Sequence, residues 1–365
     1  MVIDPIRDKT INIKKANCDE NIVYILGAGF SAYAGLPVMS NFLSKSKDIY
    51  FENPKAYSYF PELFKKFDSM GKIKNYFSTN LFNIEEILSI LEMDVAIGNG
   101  ESDFRDKFIE YIKDVIRYYK FKNDDFRIYK NPEFGTLSEK PFSTINDVIN
   151  RYGYFVASLM RLSLFKDKES IYLHGKYLPS KNHYSVITFN YDMIIEQIKT
   201  HIESFSSENN EETLSIYKLH GSVDGEIIPP TWAKGISRDM KSVWKGASKK
   251  LQEATQIRIV GYSLPITDSY FRYFLKSALL RNSRLKKIDI ICYDPSGSVE
   301  KNYSDFIDSH FPCYRFMNKK VDDYFYDLMI ETRKTGNIEL SFDKLEVIHD
   351  SFMELKPKEG NLLFG

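Results

Sequence analysis

The chain has 365 residues, 43% of them hydrophobic and 15% aromatic, and its 50 basic residues are balanced by 50 acidic ones. This length supports a large buried core, while the balanced charge argues against direct binding to nucleic acid or to an anionic membrane surface. The three cysteines lie far apart, the apolar runs are too short to span a bilayer, and no secretory signal is evident. We therefore expect a cytoplasmic protein without structural zinc.

The first strand signal is Ile22–Ile25, and a glycine-rich turn follows it at once. In doubly wound α/β proteins such a turn opens a helix and holds a diphosphate, because glycine lets bare backbone approach the ligand. Cofactor binding is therefore predicted for five consecutive residues: Gly27, Ala28, Gly29, Phe30 and Ser31. Residues 1–20 are weakly patterned and are predicted to form an N-terminal arm.

Helical periodicity dominates residues 38–165, which are predicted to form a mostly helical insertion. In one example, the apolar positions 84, 87, 88 and 91 fall on one helix face, and Asn83 occupies the N-cap position. Glu85, in the first turn of that helix, is expected to face solvent, although the insertion could also place it over the cleft. The segment 119–141, rich in charge, Asn, Pro and Gly, is predicted to be an excursion between helices.

Four more strand signals follow residue 165, and each ends in polar residues: 184–189 before Asn190 and Asp192, 216–219 before His220, 257–260 before Gly261 and Ser263, and 288–293 before Asp294. The carboxyl ends of parallel strands lie along one edge of a sheet, so we expect these side chains to line one cleft.

This pattern predicts an α/β protein with a Rossmann-like parallel sheet and helices on both faces. The core comprises residues 21–37 and 166–300, and the helical insertion at 38–165 interrupts it after the first helix. Residues 301–365 are predicted to form a C-terminal helical segment used in assembly. A dehydrogenase is disfavoured, because the residues before Asp48, at the ribose-binding distance, do not form a strand pattern.

Four motifs in order carry a family resemblance: GAGFSAYAGLP at 27–37, TFNYD at 188–192, LHGS at 219–222 and GYSLPITD at 261–268. Between the last two, IIPPTWAK at 227–234 and SVWKGA at 242–247 also fit. The combination resembles the sirtuin family, and more closely its bacterial branch associated with NAD cleavage and phage defence.

Two departures from the sirtuin deacylases stand out. The two cysteine pairs that hold zinc in those enzymes are missing, and Val38-Met39-Ser40 stands where they carry Asp-Phe-Arg. The resemblance therefore implies NAD as substrate, no zinc, and hydrolysis of NAD to nicotinamide and ADP-ribose in place of deacylation.

The resemblance also implies roles for the strand-end residues. Asn190 is expected to place a water or a ribose hydroxyl, and His220 to accept a proton, since imidazole titrates near neutral pH. Asp192 is expected to contact the nicotinamide amide. Ser31, Gly261 and Ser263 are expected to contact phosphate or ribose hydroxyls. Asp294 is expected to contact the adenosine ribose.

Several alternatives stay open at this stage. Asn190 and Asp192 both suit the cap of a helix beginning near Met193. The chain could also be a sirtuin-type deacylase or ADP-ribosyl transferase, or a non-catalytic subunit that senses NAD or ADP-ribose. An NAD hydrolase must be held inactive until a trigger arrives, so we expect a homo-oligomer and a partner such as a sensor or a DNA-translocating ATPase.

Overall fold

The computed structural model describes residues 20–70, 83–100, 102–126, 146–167, 170–177, 182–204, 214–228, 238–265, 268–307, 311, 313–334 and 343–355. The predicted N-terminal arm, most of the predicted excursion at 119–141 and most of the motif at 227–234 lie outside these residues.

The described strands, in chain order, are β1 (Glu20–Leu26), β2 (Leu162–Asp167), β3 (Ser170–Tyr177), β4 (Asn182–Thr188), β5 (Ser215–Lys218), β6 (Gln256–Val260), β7 (Lys287–Ile291) and β8 (Tyr314–Met317). Six of them form one parallel sheet in the order β5-β4-β1-β6-β7-β8, and β2 pairs with β3 as an antiparallel hairpin. The chain starts at the centre, builds outward to β5 and then crosses to β6. This is the doubly wound order, with its switch point between β1 and β6.

The described α-helices are α1 (Ala28–Ala32), α2 (Phe42–Glu52), α3 (Phe60–Met70), α4 (Ile84–Ala96), α5 (Ser102–Tyr119), α6 (Asp147–Leu159), α7 (Ile194–Glu203), α8 (Arg238–Glu253), α9 (Ser269–Leu279), α10 (Ser298–Ser304), α11 (Val321–Lys334) and α12 (Asp343–Met353). Short 3₁₀ turns occupy Met39–Asn41 and Asn123–Phe126.

Helices cover both faces of the sheet, as strand alternation requires. In β1, Ile22, Tyr24 and Leu26 belong to a core shared with α6, α7, α11 and α12. The alternate residues Val23 and Ile25 belong to a second core, shared with α8, α9 and α10. The predicted α/β class is therefore confirmed, and both faces of the central strand are buried.

The core of the insertion is continuous with the core on one face of the sheet, and the insertion covers the carboxyl edge of the sheet. Phe60 and Tyr111 pack with ring centroids 4.8 Å apart, joining α3 to α5. The predicted face of α4 is buried, and Asn83 accepts hydrogen bonds from two first-turn amides, as expected for an N-cap. Asp48 lies in helix α2, which agrees with the rejection of a dehydrogenase-type second strand.

The C-terminal boundary predicted at residue 300 is wrong. β8 pairs in parallel with β7 and completes the sheet as its sixth strand. Phe325 of α11 packs on Phe30 at 5.6 Å, beside the first turn. The strand signal Tyr314–Met317 is only four residues long, which is why it passes unnoticed among the helical patterns around it.

A buried polar network fastens α12 to the sheet. Arg258, in the middle of β6, is fully buried, donates to the Tyr24 hydroxyl at 2.8 Å and pairs with Glu346 of α12. Breaking a buried ion pair on one side costs about 3–5 kcal/mol, because the other charge is stranded. Replacing either Arg258 or Glu346 alone should therefore destabilise the fold, because the other residue loses its counter-charge.

His349 is the second anchor of α12. Its Nε2 lies 3.0 Å from Asp289 Oδ2, and its Nδ1 lies 3.0 Å from the Tyr324 hydroxyl. Burial, together with the charge of Arg258, lowers the pKa of His349 to about 4. The neutral ring donates from Nε2 to Asp289 and accepts from Tyr324 at Nδ1.

This burial predicts an acid-sensitive fold. The unfolded chain binds a proton at His349 near its ordinary pKa of about 6.5, whereas the folded chain does so only near pH 4, so protonation favours unfolding between these values. We expect wild type to lose on the order of 3 kcal/mol more unfolding free energy than His349→Gln as the pH falls from 6.5 to 4. Urea titrations at several pH values measure this, with the exposed His183→Gln as control. Parallel pH profiles for wild type and His349→Gln would contradict it.

Candidate active site

The turns after β1 and β6 touch backbone to backbone. The amide of Gly29 donates to the carbonyl of Gly261 at 2.8 Å, and that of Gly27 donates to Val260 at 3.1 Å. Gly261 has φ +66°, and a Cβ placed there lies 2.2 Å from the amide nitrogen of Phe30. Glycine is required because the two loops leave no room for a side chain.

This contact corrects the sequence interpretation of the first turn. The amides of Gly27, Gly29 and Phe30, expected to face a diphosphate, donate to carbonyls of the chain itself. The glycines thus serve the close approach of two strand ends at the switch point, where α/β sheets open a crevice. Ligand binding by residues 27–31 stays a prediction.

Asn190 joins the loop after β4 to the first turn. Its Nδ2 donates to the carbonyl of Gly27 and to Oγ of Ser31, each at 2.9 Å. Both amide hydrogens are used in this way, so Oδ1 is the polar atom that the side chain retains for a ligand. Asn190 therefore bridges two loops and does not cap α7.

Asp192 bonds to the first amide of that helix, although the N-cap position itself is Met193. Its Oδ1 accepts from the amide of Ile194 at 3.1 Å, and the Lys218 ammonium holds its backbone carbonyl. Lys218 also pairs with Glu196 at 3.3 Å, so β5, α7 and the loop between them form one unit. The carboxylate of Asp192 still borders the cavity, and its predicted nicotinamide contact stays a prediction.

His220 is buried between aromatic rings. Its ring centroid lies 5.1 Å from that of Phe189 and 6.0 Å from that of Tyr191. Behind it, the indole nitrogen of Trp244 donates to the carbonyl of Leu219 at 3.1 Å, which fixes the residue before the histidine. The imidazole is thereby held at the end of β5.

Acidic charge surrounds this end of the cavity. Tyr262 donates its hydroxyl to Asp268 Oδ2 at 2.6 Å, while Asp268 Oδ1 caps α9 by accepting from the amide of Phe271 at 3.2 Å. Burial and the nearby carboxylates of Glu85 and Asp268 raise the pKa of Tyr191 and of Tyr262 well above the usual value. Both phenols therefore stay protonated near neutral pH.

These residues border one cavity of about 780 Å³, within the range of roughly 300–1,000 Å³ typical of small-molecule sites. The strand-end and first-turn residues in its wall are Ala28, Gly29, Ser31, Asn190, Asp192, His220, Gly261 and Ser263. The insertion covers it with Val38, Met39, Ser40, Phe42, Ile84, Glu85 and Ile116. The structure thus brings together most of the predicted site residues.

Asp294 is used elsewhere. Its carboxylate accepts from the amide of Glu300 at 2.8 Å and from the Ser296 hydroxyl at 3.3 Å, at the start of α10. Although burial opposes it, these hydrogen bonds lower the pKa of Asp294. Asp294 is not among the residues that border the cavity, and its predicted adenosine-ribose contact stays a prediction.

Four charged residues of the cavity wall lie outside the predicted site: Glu85, Asp268, Lys320 and Asp322. Glu85 takes the second of its two expected positions, over the cleft, because the insertion folds its helix over the sheet edge. Lys320 and Asp322 follow β8, so the missed strand also hid them. A search for further strand ends would have found the signal Tyr314–Met317.

Comparisons with known proteins return structures but no sequence family. No protein-family model matches the chain, and no curated protein matches it. One similar solved structure is Sir2Tm bound to a propionylated peptide, with TM-score 0.34 and 13% identity over 86% of this chain and 94% of that one. Another is Sir2 with the inhibitor EX-527, 2'-O-acetyl-ADP-ribose and a deacetylated p53 peptide, with TM-score 0.31, 14% identity and the same coverages. Similarity at these scores carries no argument about ligand or activity.

Two negative findings concern the described residues alone. No helix among them has both the length and the apolar character needed to cross a membrane. They also hold no group of three or more His, Cys, Asp or Glu side chains placed to bind a metal ion.

The contact at the switch point predicts a sharp difference between two glycines with positive φ. Gly297→Ala, at φ +73° with open space around it, should cost only the backbone strain of about 1–2 kcal/mol. Gly261→Ala adds a backbone collision and should cost at least about 3 kcal/mol, or prevent folding. Denaturant unfolding of both variants measures the difference. Equal costs would show that the two loops separate easily.

Proposed function

We propose that this protein is an NAD glycohydrolase that cleaves NAD to nicotinamide and ADP-ribose. One observation carries the proposal: Asn190 is tied to the first turn by two hydrogen bonds and borders the same cavity as His220. These are the two residues to which the sirtuin-like motifs assign the reaction, and they reach the site from different strands.

The reaction needs little acid catalysis. Water attacks the anomeric carbon of the ribose, the bond to the nicotinamide nitrogen breaks, and nicotinamide leaves as a neutral molecule with the bonding electron pair. The attacking water gives up one proton. A site for this reaction must orient the water, accept its proton and tolerate the positive charge that moves onto the sugar.

Asn190 and His220 suit the first two tasks. With both amide hydrogens donated to the chain, the Oδ1 of Asn190 can only accept, which orients a water or a ribose hydroxyl through its O–H. His220 borders the same cavity and supplies an imidazole, a side chain that commonly serves as a general base.

The acidic surroundings suit the third task. Glu85, Asp192 and Asp268 all border the cavity, and Glu85 and Asp268 lie close enough to act on the buried phenols of Tyr191 and Tyr262. Fixed carboxylates favour a cationic nicotinamide ring and an oxocarbenium-like sugar over neutral ligands. A neutral or basic cavity would lack this preference.

The biological setting of the proposal rests on the sequence motifs alone. We propose that NAD depletion serves bacterial anti-phage defence in the cytoplasm. The activity is controlled through a homo-oligomer and a partner, such as a sensor or a DNA-translocating ATPase.

The first test of the mechanism is substitution of the two named residues. Asn190→Ala and His220→Ala should each lower kcat for NAD cleavage by about 10²-fold or more, because each removes a group that orients or deprotonates the water. A fluorogenic NAD analogue reports the rate. The matched controls are the exposed Asn99→Ala and His183→Ala, expected within about twofold of wild type. Full activity in His220→Ala would remove the imidazole from the mechanism.

A second test separates hydrolysis from the two alternatives. Incubation with NAD and no acylated peptide, with or without the partner, should release nicotinamide and ADP-ribose over many turnovers, as measured by chromatography. Release that requires an acylated lysine peptide would instead identify a deacylase. Binding of NAD without any release, with or without a partner, would identify a sensing subunit.

A further inference from the structure

One hydrogen bond runs from the insertion to the loop that carries His220. Arg117, near the end of α5, donates from a guanidinium nitrogen to the backbone carbonyl of Val223 at 2.6 Å. The two residues are 106 positions apart in the chain. A hydrogen bond from a charged donor is roughly twice as strong as a neutral one. The contact from Arg117 therefore restrains the position of the loop.

Val223 connects both catalytic loops. It is 2% exposed, and its amide donates to the carbonyl of Tyr191 at 2.9 Å, in the loop of Asn190. The two hydrogen bonds, from Arg117 to Val223 and from Val223 to Tyr191, therefore hold the loop after β5 against the loop after β4. A shift of Val223 changes the distance between the two residues that the reaction needs.

The His220 loop is held together by hydrogen bonds of its own backbone. The amide of Ile228 donates to the carbonyl of His220 at 2.9 Å, and that of Ser222 donates to Glu226 at 3.1 Å. Trp244 secures the rear of this loop through the carbonyl of Leu219. At the front, Arg117 is the side chain from the insertion that holds it.

Arg117 is itself oriented by acidic neighbours on its own helix. Its guanidinium lies 3.7 Å from Glu110 and 3.7 Å from Asp114. These carboxylates keep the side chain directed along α5, so the position of that helix decides where the donor points.

We propose that Arg117 is a positioning residue that sets the His220 loop for NAD cleavage and makes the activity depend on the placement of the insertion. The inference rests on the proposed function for its catalytic readout. It adds a route for control: a partner that shifts α5 changes the spacing of Asn190 and His220 without touching the cavity.

The kinetic test compares Arg117→Met and Arg117→Lys with a control on the same helix. Arg105→Met is the control, because Arg105 pairs with Glu92 at 3.1 Å within the insertion. We expect Arg117→Met to lower kcat for NAD about 10- to 100-fold while KM changes less than about threefold, since misplacement by about 1 Å has costs of this size. The pH at which kcat is half-maximal should also shift.

Arg117→Lys retains a charged donor and should recover kcat to within about fivefold of wild type. Arg105→Met should keep wild-type kcat, even where its melting temperature falls. The inference is overturned if Arg117→Met keeps wild-type kcat and pH profile, or if Arg105→Met loses as much activity.

Hydrogen exchange gives a readout independent of NAD cleavage. In Arg117→Met the amides of Ser222, Val223 and Ile228 should exchange at least about fivefold faster, with the strands unchanged, because local opening of the loop becomes easier. Arg105→Met should leave these amides as in wild type. If wild type does not cleave NAD, the proposed function fails and this measurement alone decides the role of Arg117. Unchanged exchange at all three amides overturns that role.

Discussion

The backbone contact between the turns after β1 and β6 is the constraint on which the site depends. Gly29 and Gly261 meet directly, so the two central strands end at the same level and the crevice opens between them. Asn190 then reaches the first turn from the neighbouring strand, and its bond to Gly27 sets the side of the crevice opposite Gly261. A side chain at either glycine would separate the loops and remove the geometry that gives Asn190 its partners.

Much of the fold could be predicted from sequence because the central strands carry strong, local signals. Each buried run of β-branched residues ends where a polar motif begins, and a parallel sheet brings such ends to one edge. The face of α4 and the cap at Asn83 were equally readable, since both depend on spacing within a few residues. These local signals were enough to predict the α/β class, which the parallel sheet confirms.

The parts that escaped prediction depend on contacts between distant segments. Nothing near Glu85 in the chain shows that the insertion turns its helix over the sheet edge. Arg258 and Asp289 are charged residues within buried strands. Their role becomes clear only in the fold, where α12 supplies Glu346 as partner of Arg258 and His349 as partner of Asp289. The acceptors of the Gly27 and Gly29 amides, Val260 and Gly261, likewise lie more than 200 residues away in the chain, where no local pattern reveals them.

The ion pair between β6 and α12 also has a consequence for biosynthesis. Arg258 finds its counter-charge 88 residues later in the chain, so a nascent polypeptide must keep that guanidinium hydrated until Glu346 has left the ribosome. The half of the sheet that contains β6, β7 and β8 therefore reaches its final packing only when α12 has docked on it. Gly261, at the end of β6, borders the crevice, so the docking of α12 also completes one wall of the crevice.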